Sequence, residues 1–248
     1  MSFDQLAYEC RLHWKSLFLA PAALMLACIL FALLQLNFKE NVGRTYLGFA
    51  EIFIPLAAGV ISGSLIVREP ALELQLTVAQ TYRKTTFQRV FLLTLIYAFF
   101  CCLLISGMAL LHFWFLPSYL LTSPVIWQWL LAQFIWFAPL VWFVAVGVCL
   151  SALTLNSVVN GAILAAFWLI ELLYWGPFHD NVWLRSIYIF PTTMWIYQGD
   201  SVHLPAWYLN DFWLLPHVEQ VIMAVILFGL SWFLLRNTEH LLKGATTE

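Results

Sequence analysis

Six long apolar runs constrain what this chain can fold into. A bilayer core about 30 Å thick is crossed by roughly 20 residues of α-helix. Runs that reach or approach this length predict spans at 17–36, 47–67, 90–115, 127–150, 158–175 and 218–235. The stretches between them are too short or too apolar for a separate domain. We therefore expect residues 1–248 to form a single transmembrane domain.

The composition excludes several other classes of protein. Hydrophobic residues make up 63% of the chain and charged residues only 10%, against about 25% charged in ordinary soluble domains. The net charge of -2 speaks against nucleic-acid binding. The five cysteines lie in apolar or N-terminal segments, which speaks against a disulfide scaffold. An all-α integral membrane protein remains.

The distribution of Lys and Arg predicts the orientation, because cytoplasmic loops carry the excess of these residues. With both termini inside, eight of the eleven cations fall on the inner side. The eight are Arg11, Lys15, Arg68, Arg83, Lys84, Arg89, Arg236 and Lys243. The opposite orientation reverses the ratio, so the sequence predicts an N-in, C-in chain.

Two segments outside the spans have patterns of their own. Residues 2–16 place apolar side chains at three- and four-residue steps, which predicts an amphipathic helix in the inner interface. This helix is either a membrane anchor or a docking surface for a partner. Residues 176–217 are rich in aromatic residues and proline, which indicates short re-entrant or interfacial outer helices. Non-helical backbone at membrane depth has to be shielded by protein or line a wet cavity.

The segment 68–89 is the only sizeable internal loop on the predicted inner side, and it carries four of the eight inner cations. Pro70 suits the first turn of a helix, whereas the alternation of residues 72–78 is typical of a strand. We favour a short helix, because an isolated strand would leave its backbone edges unpaired.

The sequence lacks the usual motifs of catalysis and metal binding. It contains no Walker A loop, no His-Glu-x-x-His, no Gly-x-Ser-x-Gly and no Cys-x-x-Cys. We therefore expect no catalytic residue, no metal site and no nucleotide bound by this chain. Of the six histidines, His112 is the one that we expect near a span interior, as a buried residue with satisfied hydrogen bonds.

Two carboxylates lie within predicted spans. Glu51 and Glu171 are each about one turn from the outer end of a span, so we expect them at similar depth. One interpretation is that they snorkel to the interface or pair with Arg44 or Arg185. The functional hypothesis is that they line the outer mouth of a translocation pathway.

Small residues and prolines mark specific points of the spans. Gly59 and Gly63 form a Gly-x-x-x-Gly pair that allows close helix approach. The partner helix is either within the same chain or in a second subunit. Pro55 and Pro139 are expected to kink their helices.

Taken together, the pattern resembles the ABC-2 type permease family of ATP-binding-cassette transporters. Members carry an interfacial N-terminal helix, six spans, a basic loop after span two and an aromatic outer segment before span six. The family's loop motif has an acidic residue, then Gly-Thr-Leu-Glu-Leu-Leu, then a Pro or small residue, an Arg and a downstream Lys. Here Leu72-Glu73-Leu74 and Arg83 match it, whereas Pro70-Ala71 replaces the Gly-Thr and no Pro precedes Arg83.

The resemblance implies a coupling helix around residues 70–80 that sits in a groove of a separate ATPase subunit. The implied coupling residues are Glu69, Leu72, Glu73, Leu74, Arg83 and Lys84. ATP and Mg would be bound by that partner, and a second permease subunit, identical or related, would complete the pathway between them. Export is the family norm, and the expected location is the bacterial plasma membrane, in contact with membrane lipid.

Two other readings stay open. One is a non-transporting membrane assembly or sensor protein that uses the same loop to bind a partner. The other is an intramembrane enzyme that acts on lipid or peptide, which would need a polar cluster inside the bilayer. The sequence offers Glu51, Glu171 and His112 for such a cluster.

Overall fold

A computed structural model of the 248-residue chain describes residues 10–35, 39–67, 79–110, 124–181, 183–193 and 213–236. Within these ranges the chain is all-helical and contains no strand. The all-α class expected from the sequence is therefore confirmed.

Eight α-helices account for most of the described residues. They are α1 (Ala20–Leu34), α2 (Lys39–Gly48), α3 (Ile54–Val67), α4 (Ala79–Leu110), α5 (Val125–Thr154), α6 (Ser157–Leu173), α7 (Trp175–Asp180) and α8 (Leu215–Leu234). A π-helical turn at Lys15–Leu19 leads into α1, and a second at Phe49–Phe53 joins α2 to α3. A short 3-10 helix follows α7 at Arg185–Ile187.

Five helical segments are long and apolar enough to cross a membrane. They are Lys15–Leu34, Val42–Ile66, Tyr82–Leu110, Val125–Thr154 and Leu215–Leu234. Each overlaps one of the predicted spans. The predicted span at 158–175 corresponds to α6, which is apolar but has only 17 residues.

Two helices begin earlier than the apolar runs indicated. The helix of the second span begins at Lys39 rather than near residue 47, and α4 begins at Ala79 rather than near residue 90. The predicted spans stopped at charged residues because only apolar residues were counted. The backbone hydrogen bonds of a helix continue past such residues. As a result, residues 79–89 of the predicted loop form the first turns of α4.

Prolines account for the π-helical turns. Pro21 and Pro55 each stand two residues after the end of a π-turn. Proline has no N–H to donate to the carbonyl four residues earlier. At both sites the helical hydrogen bonds just before the proline span five residues instead of four. The amides of Ala20 and Ile54 bond to carbonyls five residues back. Pro139, in contrast, lies inside an uninterrupted α5.

Helix α5 is the centre of the bundle, because α3 and α8 make their most extensive contacts with it. Gly59 faces Phe143 whereas Gly63 faces Ser151, so α3 and α5 run in the same direction. Helix α4 runs the opposite way, since Tyr82 bonds to Ile66 near its start. This is the relative direction expected of spans two, three and four, and which end lies inside stays a prediction.

Glycines bring α3 and α5 into backbone contact. A Cβ atom built on Gly59 would lie 2.7 Å from the carbonyl oxygen of Phe143, and one on Gly147 would lie 2.0 Å from that of Gly59. The Ser62 hydroxyl donates to the Gly59 carbonyl within α3 and to the Val144 carbonyl across the same seam. Gly63 packs directly on Asn160 of α6. The Gly59–Gly63 pair therefore packs against helices of its own chain.

Candidate functional site

The candidate site lies at one end of the bundle, where the chain between α7 and α8 folds back onto the helices. Residues 188–190 are not helical, yet Tyr188, Ile189 and Phe190 are almost completely buried. They pack with Ile52, Trp142, Phe143, Leu164 and Phe178 in one apolar cluster. We call residues 188–193 the inserted segment. Its backbone is shielded by protein. Shielding of this kind is one of the two ways in which non-helical backbone is tolerated among membrane-spanning helices, the other being a water-filled cavity.

Glu51 binds the inserted segment through both carboxylate oxygens. Its side chain is fully buried in the π-turn that joins α2 to α3. The amide of Thr192 donates to Oε1 at 2.8 Å, and the amide of Thr193 donates to Oε2 at 2.7 Å. The Thr193 hydroxyl donates to Oε2 at 2.5 Å. These two amides open a helical turn, so Glu51 satisfies donors that a helix start leaves without partners.

Glu171, near the end of α6, holds the inserted segment at a second point. The amide of Ile189 donates to its Oε2 at 2.9 Å, and the side chain is buried. Oε1 has no hydrogen-bond partner among the described residues. The two carboxylates thus bind the same segment, Glu51 through three donors and Glu171 through one.

His217 and Gln220, in the first turns of α8, complete the polar cluster. His217 Nδ1 lies 2.5 Å from the Trp213 carbonyl, which can only accept, so Nδ1 carries a proton. Its Nε2 lies 3.9 Å from Glu51 Oε1 and has no hydrogen bond among the described residues. Gln220 donates to the Tyr188 carbonyl, and the Trp213 indole donates to Thr192 at 3.1 Å.

Two groups of the segment after α7 show how charge is distributed around the cluster. Burial, together with the carboxyl groups of Glu51 and Glu171, raises the pKa of the Tyr188 hydroxyl well above its usual value, so that group stays neutral. Arg185, which one interpretation of the sequence offered as a partner of Glu51 or Glu171, forms an ion pair with Glu219 at 3.2 Å. The positive charge of Arg185 is therefore paired with Glu219 at the partly exposed rim of the polar cluster.

This arrangement differs from the interpretation in which the two carboxylates snorkel to the interface. Glu51 and Glu171 do not extend to the surface, because both are fully buried and bound to main-chain amides. Chemically, the cluster can hold a largely non-helical segment between the helices, and it places His217 Nε2 3.9 Å from Glu51 Oε1 without a direct hydrogen bond. The described residues contain no group of side chains suited to a metal ion. The pathway role of the two carboxylates stays a prediction.

The opposite end of α3 carries the described part of the predicted coupling region. Glu51 and Ile66 are fifteen residues apart, which is about 22 Å of helix. Tyr82 donates to the Ile66 carbonyl at 3.1 Å, and the Arg83 guanidinium lies 5.1 Å from the ring centre of Trp232 on α8. Phe87 packs edge-on against the same ring at 5.1 Å. Lys84 is exposed to solvent. We call this region the Arg83 end.

Several predicted residues lie outside the described part of the chain. They are Glu69, Leu72, Glu73 and Leu74 of the coupling motif, His112, and most of the amphipathic segment 2–16. Of that segment, residues 10–14 are helical apart from a turn at His13, and they lead directly into the first span.

Sequence reasoning missed His217, Gln220, Thr192 and Thr193. His217 was assigned to the outer segment because the last predicted span began at residue 218, whereas α8 begins at Leu215. His217 and Gln220 stand three residues apart and so share one helix face. That spacing, close to the start of an apolar run, was a usable signal. The two threonines gave none, because Glu51 binds mainly their backbone.

The chain matches no protein-family model, and neither a curated protein nor a solved structure matches it significantly.

Proposed function

We propose that this chain is the permease subunit of an ABC-2-type exporter, with six spans and both termini inside. Two permease subunits would enclose the pathway, and separate ATPase subunits would bind ATP and Mg. The proposal combines the membrane-helix character of the chain with the match of Leu72-Glu73-Leu74 and Arg83 to the family's coupling motif.

The observation that carries the proposal is how the start of α4 is held. On one side, Tyr82 bonds to the last turn of α3. On the other, Arg83 and Phe87 contact Trp232 of α8, and Phe87 also lies 6.3 Å from Phe228. A push on residues 68–78 would therefore move three spans together. A rigid connection of this kind is what a transporter driven by an external ATPase needs.

The opposite end supplies a second element of the mechanism. The inserted segment covers Glu51 and Glu171 and fills the space between α3, α6 and α8. We assign this arrangement to a state that is closed on the outer side. Opening would require the main-chain bonds of Thr192, Thr193 and Ile189 to be broken or exchanged for water. The carboxylates would then face the outer mouth of the pathway.

The first experiment asks for the partner. The tagged chain is purified from its native membrane in mild detergent, and the proteins that accompany it are identified. We expect an ATPase subunit with a Walker A motif. A partner without a nucleotide-binding motif would instead favour the assembly or sensor reading.

The second experiment tests the coupling role with three variants of the purified complex. Arg83→Glu should lower transport-stimulated ATPase activity and the yield of the bound ATPase. Trp232→Leu removes the ring contact but keeps the cation, so it separates partner binding from transmission. It should leave the yield of the complex unchanged and lower the stimulation. Arg236→Glu makes the same charge change at an exposed position beyond α8 and serves as the control. Normal stimulation in Arg83→Glu would contradict the assignment.

A further inference from the structure

A groove between the first two spans has the chemistry of a lipid site. Its volume is about 720 Å³, and it is open along one side. The size is within the range of about 300–1,000 Å³ that is typical of small-molecule sites. Its apolar wall is formed by Leu24, Ala27, Phe31, Phe49 and Phe53, and its polar end by Gln35, Arg44 and Thr45.

The polar and apolar parts of this groove are separated along the spans. Gln35 directly follows the last residue of α1, and Thr45 donates to it at 2.6 Å. Arg44 lies in the first turn of the apolar segment Val42–Ile66. All three polar residues thus lie at span ends, where lipid headgroups are found, whereas the aromatic wall lies deeper along the spans. An amphiphile standing upright in one leaflet has the same order of groups.

The charge of the lining selects among amphiphiles. Among the described residues that line the groove, Arg44 is the only charged one and none is a carboxylate. Glu51 is near in sequence, but both of its oxygens bind Thr192 and Thr193. A guanidinium has five N–H donors in a planar fork that fits phosphate oxygens. It can therefore bind a phosphate in addition to other contacts, and a headgroup with its own cation would be disfavoured beside it.

We propose that this groove binds one anionic phospholipid, with its phosphate on Arg44 and an acyl chain against Phe31, Phe49 and Phe53. The site is independent of the coupling region and does not depend on the proposed function. It would be occupied from the leaflet on the Glu51 side of the bundle.

Gly48 allows the groove to be filled without disturbing the protein. It lines the groove, and a Cβ atom on it would meet nothing within 4 Å. Its φ of -57° is helical, so a side chain is tolerated. Gly48→Phe should therefore place a ring in the space of the acyl chain. Gly229→Phe on α8 is the matched control, because Gly229 is also open to its surroundings and lies away from the groove.

The experiment uses the full chain in nanodiscs made of equal amounts of phosphatidylglycerol and phosphatidylcholine with identical acyl chains. After transfer to detergent, native mass spectrometry counts the lipids that each chain retains. The original chain should retain one phosphatidylglycerol with a preference of about fivefold, the factor that one cation gives for an anionic lipid. Arg44→Gln should abolish the preference, and Gly48→Phe should abolish retention. Gly229→Phe should behave like the original chain.

Two results would overturn the proposal. One is undiminished retention in Gly48→Phe, which would place the lipid elsewhere. The other is an unchanged headgroup preference in Arg44→Gln. Inorganic phosphate provides a further arm, because it offers the anion without the chain. It should not raise the unfolding temperature of the detergent-solubilised protein, whereas phosphatidylglycerol should. Equal stabilisation by both would reduce the site to a simple anion site. If Arg44→Gln does not fold, Gly48→Phe still tests whether the lipid occupies the groove.

Discussion

The centre of the bundle and the end that carries Glu51 and the inserted segment are held together in opposite ways. We call this second region the Glu51 end. At the centre, Gly59 and Gly147 let the backbones of α3 and α5 touch, and the two helices are held by close packing. At the Glu51 end, the inserted segment, which is non-helical up to Phe190, is fixed by hydrogen bonds from its amides to buried carboxylates. Lipid gives helices no hydrophobic drive to associate, so close packing and polar contacts are the means that remain. The helices at the centre therefore cannot separate without strain, whereas the Glu51 end can exchange its hydrogen bonds for bonds to water.

Adding one methyl group at the centre should have the largest effect. In Gly147→Ala the new Cβ would lie 2.0 Å from the Gly59 carbonyl oxygen, which is backbone and cannot turn away. The helices must separate, and we expect a loss of about 3 kcal/mol or more in the free energy of unfolding. Denaturation by SDS in mixed micelles measures it.

The control for this change is Gly161→Ala on α6. There the new Cβ would meet only Val60 at 3.6 Å, an ordinary van der Waals contact. We expect a change within about 0.5 kcal/mol or a slight gain, because alanine restricts the unfolded chain. Equal losses in the two variants would show that close approach of α3 and α5 is not what matters.

Replacing the carboxylates by amides should have an intermediate effect that distinguishes Glu51 from Glu171. In Glu51→Gln the NH₂ group must face at least one donor, the amide of Thr192 or that of Thr193. A buried donor without an acceptor costs about 1–3 kcal/mol. In Glu171→Gln the amide oxygen can still accept from Ile189. The NH₂ group takes the place of Oε1, which already lacks a partner among the described residues, so we expect a smaller loss than in Glu51→Gln.

The same two variants test the functional role of the carboxylates. If they line the outer mouth, the double variant should transport more slowly at an equal amount of inserted protein. Transport assays in vesicles with matched protein levels provide the comparison. Unchanged transport in the double variant would remove Glu51 and Glu171 from the pathway and leave them a purely structural role.

The contrast between centre and end also explains what the sequence could and could not predict. Apolar length located the five helical segments that are long enough to cross a membrane, because the bilayer imposes that length on any chain. The glycine pair signalled close packing but not its partners, which are Phe143 and Gly147 for Gly59 and Asn160 for Gly63. Glu51 was recognised as a carboxylate within a predicted span, but neither interpretation bound it to main-chain amides. Its partners are backbone amides 141 residues or more along the chain, and every residue other than proline has one.

The smallest effect is expected at an exposed position where a side chain makes the same kind of contact with two backbone amides as Glu51 does. Asn156 precedes α6, and its side-chain oxygen accepts from the amides of Val158 and Val159 at 2.9 and 3.1 Å. This resembles the contact of Glu51 with two successive amides, but Asn156 is exposed. In Asn156→Ala the freed amides can bond to water, so we expect a loss of about 1 kcal/mol. Asn156→Asp keeps the acceptor at a helix start and should cost less. A loss in Asn156→Ala as large as that in Glu51→Gln would mean that burial adds nothing to such a contact.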